Sequence, residues 1–140
     1  MDTLEIEATI RAISARLVTL EDEIRAAQPV RSGAVLMHLY WHKKQGLCLG
    51  CPHPIWKQWR GHPYHPVRQW QAHPIDNPLA RIRRNQKLSA LAKEAIAITD
   101  LRTDLIQALK TMRRVERKCS ALNIAQLLPS LLNGSSKVFP

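Results

Sequence analysis

Apolar residues along the first stretch of this chain recur at helical intervals. Ile10, Ile13, Leu17, Leu20 and Ile24 step by 3, 4, 3 and 4, the a/d seam of a coiled coil rather than the alternation of a strand. Leu4 and Ile6 extend the apolar face upstream, Asp2 or Thr3 can cap it, and Pro29 ends it. A second, longer seam follows. Ile98, Leu101, Leu105, Ala108, Met112, Val115, Cys119 and Leu122 keep the same spacing, and Leu91 continues it upstream. With Pro78 at its entry, this helix is expected to begin near Leu79 or after Asn85 and to run to about Asn123. Ile124 to Leu132 reads as a final turn or two. Asn133-Gly134-Ser135-Ser136 opens a tail expected to be mobile.

Between the arms the pattern changes. Residues 30–78 hold all four tryptophans, all six histidines and six of the nine prolines, too little aliphatic material for an ordinary core. Ala34 to Trp41 has strand character and Lys43-Lys44-Gln45-Gly46 suits a turn. Beyond Cys51 the prolines come too often for long regular elements. Gln58-Trp59-Arg60-Gly61-His62-Pro63 is echoed by Gln69-Trp70-Gln71-Ala72-His73-Pro74, which suggests equivalent roles for Trp59 and Trp70.

The expected fold is therefore mainly α. Two heptad-patterned helical arms, packed as an antiparallel hairpin or a coiled coil, flank a small irregular module rich in Pro, Trp and His, with a short β segment and a zinc knuckle. The chain divides into an N-terminal helix (1–28), the basic module (29–78), a long basic helix (79–124) and a short helical turn with a flexible tail (125–140). The second seam outruns the first, so its 91–122 stretch calls for self-association or a protein partner.

Charge sharpens this picture. The net charge is +10, but residues 1–28 carry six acids against three arginines, a net of −3, leaving +13 on the rest. From Pro29 to Lys93 eleven Lys/Arg face the single acid Asp76. Such a field concentrates polyanions. Basic residues are interleaved with aromatic ones, as phosphate contact and base stacking require. The expected contacts are Lys43, Lys44, Lys57, Arg60 and Arg68 around the rings of Trp59 and Trp70, then Arg81, Arg83, Arg84 and Lys87 at the start of the long helix. Cations at a helix N-terminus oppose its dipole unless an anion is near, which favours a functional role for that last group.

Metal chemistry is suggested by Cys48-Leu49-Gly50-Cys51. A Cys-x2-Cys turn with glycine inside brings both sulfurs to one side. His62 and His65 complete a Cys-x2-Cys-x10-His-x2-His set for zinc, with His53, His42 or Cys119 as replacements. The His-x2-His half is tighter than usual. Three cysteines are too few for a disulfide framework.

An enzyme is not expected, since the central module holds one carboxylate and no nucleophile–base set is visible. No run approaches the ~18 apolar residues of a membrane span, and the acidic start is unlike a signal peptide. These features place the chain in the cytoplasm, without a membrane partner. The sequence thus points to a nucleic-acid-binding accessory protein, with DNA and RNA undistinguished. The alternative is a helical adaptor that docks an acidic protein.

Overall fold

The computed structural model describes residues 1–42, 48–61, 64–123, 126–130 and 132. Among the described residues, elements occur in the order α1 (Thr3–Ala26), β1 (Val35–Tyr40), β2 (His53–Arg60), β3 (Gln71–Pro74), α2 (Pro78–Arg81) and α3 (Gln86–Ala121). Residues 1–106 form one compact unit and residues 107–140 a second. Among the described residues no helix is long and apolar enough to cross a membrane.

Helix α1 starts at a capping box. Asp2 accepts from the Glu5 N–H at 2.8 Å, and the Asp2 N–H donates back to Glu5 at 3.2 Å, satisfying two otherwise orphan donors. Ile6, Ile10, Ile13, Leu17, Leu20 and Ile24 are all buried. Leu4 is not part of this face and lies 73 % exposed. Ile13, Leu17, Leu20 and Ile24 pack with Met37 and Leu39 of β1 and with Leu88 and Ala95 of α3 in one cluster. Each fully buried side chain of this size contributes about 1.5–3 kcal/mol.

The strands form an antiparallel sheet in the order β1-β2-β3. Val35, Met37 and Leu39 point into the core. The register pairs Met37 with Trp56 and Leu39 with Pro54, and Trp56 packs against the same core. The outer edge of β1 is closed by Glu21 of α1 and by Gln28 just beyond that helix. Leu39 N–H donates to Glu21 at 2.7 Å, while the Gln28 amide both donates to the Val35 carbonyl and accepts from its N–H. An exposed strand edge is thereby covered.

Two expectations change here. The prolines do not prevent regular structure beyond Cys51, because they fall at element ends. Pro54 is the second residue of β2, Pro74 closes the edge strand β3, and Pro78 opens α2, positions where a missing N–H costs little. The eight residues between Pro54 and Pro63 are free of proline and supply most of the central strand.

The second correction concerns α3. Of the expected seam, Leu101, Val115 and Leu122 are 48 %, 50 % and 62 % exposed, and Ala108 is exposed as well. Leu91, Ile98 and Leu105 flank the core, while Met112 and Cys119 are half-buried. The buried positions are Leu88, Ala92, Ala95, Arg102 and Leu109, which also keep heptad phase but lie one residue along. Alanine and arginine occupy the inward stripe, so a search for large apolar residues finds its shoulder instead. In the second unit residues 126–130 are helical and exposed. The tail from Asn133 lies outside the described residues.

Candidate metal centre

Antiparallel pairing of β1 with β2 sets Tyr40 opposite His53, so the connection between the strands closes on itself at that end. His42 lies two residues past β1, Cys48 and Cys51 belong to the connection, and His53 is the first residue of β2. One ligand atom from each of His42, Cys48, Cys51 and His53 lies within 4.8 Å of every other. Cys48 Sγ is 3.3 Å from His53 Nε2, and the two imidazole rings are 4.7 Å apart. A tetrahedral zinc with bonds of about 2.0–2.3 Å needs ligand atoms roughly 3.3–3.8 Å apart. Closing the four donors onto one ion therefore takes only a small contraction.

The local chemistry fits this donor set. Cys51 N–H donates to the Cys48 carbonyl at 3.4 Å, which makes the turn. Gly50 leaves room for a ligand, since a Cβ there would stand 3.1 Å from His53 Cε1. Burial pushes the His53 imidazole below its ordinary pKa, and His42 and Arg102 push the same way. This direction favours the neutral ring that a metal ligand needs. Two thiolates and two imidazoles suit zinc. Four protein donors leave no open position, the arrangement of a structural site rather than a catalytic one.

Arg102 is the residue that sequence reasoning did not foresee here. It is 2 % exposed, and no carboxylate among the described residues pairs with it. Its guanidinium donates to Ser14 Oγ of α1 at 3.1 Å and to the Pro52 carbonyl at 2.8 Å. Burial lowers its pKa, and the neighbouring Cys51 and Cys48 act in the opposite direction. A buried cation needs nearby negative charge, and Cys48 and Cys51 stand where it would come from on metal binding.

Of the expected histidine pair, the described residue His65 is not in this group. His65 is exposed on the segment before β3, His62 lies outside the described residues, and Cys119 belongs to the second unit. Two of the three replacements, His42 and His53, are in it. The signal was available: two histidines bracketing a cysteine turn are joined once the flanking segments pair as a hairpin.

The other expected site residues are spread over the first unit. Lys43 and Lys44 lie outside the described residues. Lys57 and Trp59 alternate with the core-facing Trp56 and Gln58 on β2, opposite Leu36 and Ala72 respectively. Arg60 ends that strand and Arg68 lies on the 3-10 turn Val67–Gln69, both exposed. Trp70 differs from Trp59: its ring sits over Gly61, where a Cβ would meet it at 2.2 Å, and its indole N–H donates to the His65 carbonyl at 3.2 Å. Arg81 is in α2 and donates to Gln58 Oε1 at 3.2 Å. Arg83 and Arg84 form the elbow before α3, so Lys87 alone of the cluster stands in the first turn of that helix. No family model, curated protein or solved structure matches this chain.

Proposed function

We propose that this protein is a nucleic-acid-binding accessory protein whose sheet is pinned by a structural zinc ion on His42, Cys48, Cys51 and His53. The observation that carries the reading is an imbalance of ion pairing. On α1, Arg16 bridges Glu23 and Glu94, and Arg25 meets Asp22. Arg31, Lys57, Arg60, Arg68, Arg81, Arg83, Arg84 and Lys87 pair with no carboxylate among the described residues. Unneutralised cations within one compact unit repel one another, and a polyanion relieves that repulsion. Trp59 and Lys57 share the sheet face turned from the core with Tyr40 and Leu36, a place for a base to stack beside a phosphate contact.

The test is fluorescence anisotropy of the zinc-loaded chain with single-stranded and duplex DNA and RNA across a salt series. Five or six phosphate contacts give log K a slope of roughly −4 to −5 against log salt. Absence of binding to all four at about 50 mM salt overturns the reading in favour of an acidic protein partner docked by the same cations.

A further inference from the structure

At the end of the sheet remote from the cysteines, a cavity of about 450 Å³ opens between the approach to β1 and the elbow joining α2 to α3. Arg31 stands on one wall and Arg81 and Arg83 on the other, and no acidic side chain lines it. Its floor includes Ala34, Val35 and Leu88, all buried.

The walls are held in place by hydrogen bonds. Gln58 accepts from Arg81 Nη1 at 3.2 Å and donates to the Gly33 carbonyl at 3.0 Å, tying the α2 arginine to the opposite rim. Asn85 donates to the Ala27 carbonyl at 3.0 Å and accepts from the Leu88 N–H at 2.9 Å, fixing the elbow against the end of α1. The rims turn sharply on both sides. Gly33 has φ +93°, and Arg84 has φ +52°, a left-handed conformation that is unfavourable for a non-glycine residue. Strain of this kind persists where the surrounding structure enforces it, often at ligand sites.

Three guanidinium groups around one concavity with no counter-charge make a site for an anion of several oxygens. Guanidinium forks match phosphate oxygens in pairs. The volume exceeds that of a bare ion and falls in the range of roughly 300–1,000 Å³ typical of small-molecule pockets. The apolar floor gives the remainder of such a ligand something to lie on. We infer that this cleft is a socket for one nucleotide unit of a nucleic-acid strand, with Arg31, Arg81 and Arg83 closing on its phosphate. The inference rests on the nucleic-acid reading and names the contact that anchors the strand.

The experiment compares the wild-type chain with Arg31→Gln, Arg83→Gln and the double variant, with Arg60→Gln as a cation outside the cleft. Arg81 is left in place because it also braces Gln58. Two probes are used: a labelled 5′-hydroxyl oligonucleotide and adenosine monophosphate, with a thermal melt confirming that each variant folds. Each cleft variant should weaken oligonucleotide binding by about tenfold, and the double variant should flatten the salt slope by about two. Arg60→Gln should lower affinity less than either cleft variant. Oligonucleotide binding that the cleft variants leave unchanged overturns the socket while the nucleic-acid reading stands. Adenosine monophosphate bound by the wild type and lost in the double variant, with no oligonucleotide bound, keeps the cleft as a phosphate socket but overturns its strand ligand. Binding of neither probe overturns both.

Discussion

The two ends of the β1–β2 pair are built from the same strands and handle charge in opposite ways. At the Tyr40–His53 end, thiols, imidazoles and a buried guanidinium face inward on one another, and each finds its partner within the molecule. At the Val35–Gln58 end, three arginines surround an opening, and among the described residues only the Arg81 side chain has a polar partner. Groups that satisfy each other hold a fold together. Groups left unsatisfied at a rigid, open position are available to something outside it. Under the proposed function, the first end would be structural and the second would bind.

The sharpest way to break this comparison is to remove a ligand from the closed end. Cys51→Ser should abolish stoichiometric zinc in elemental analysis and give the largest stability loss of any change named here. In small zinc modules metal binding supplies on the order of 10 kcal/mol toward folding. The helical core keeps part of the first unit together, so helix content by circular dichroism should fall less than the melting temperature. A variant that keeps its metal and its melting temperature would make the cysteine turn ordinary packing.

Arg102→Met tests the same end less severely. The substitution takes away the hydrogen bonds to Ser14 and Pro52 together with the positive charge beside the sulfurs. Zinc affinity, measured by competition with a chromogenic chelator, should drop about 10- to 100-fold. Unchanged affinity would mean that Arg102 only braces the two helices. The smallest effect is expected at the open end. Arg84→Gly relieves the left-handed backbone and should shift stability upward by about 1 kcal/mol or less in urea unfolding. A stability loss there would show that the arginine side chain, rather than its backbone, matters to the elbow.

Much of this architecture could be read from residue order, and the failures have physical causes. The α1 stripe was legible because large aliphatic residues fill every inward position. Along α3 the inward positions include Ala92, Ala95 and Arg102, which carry little hydropathy signal. The cysteine turn was legible from its spacing, but His42 and His53 entered only as replacement ligands because the prolines argued against β2. Without β2 there is no hairpin, and without the hairpin His42 and His53 have no reason to meet. Arg31 escaped notice for the same reason: it is distant in sequence from Arg81 and Arg83, and only the folded elbow brings them around one cavity.

All four metal-competent residues fall between positions 42 and 53, and this locality bears on the order in which the chain assembles. Closing short loops costs little chain entropy, and the cost grows only with the logarithm of their length. An ion captured by this segment would fix where the chain reverses before either helix has docked. Topologies whose early contacts are close in sequence fold faster than those that must first join distant segments. The hairpin connection would thus act as a seed from which strand register propagates toward Val35 and Gln58, and the arginine cleft would be among the last features to take shape.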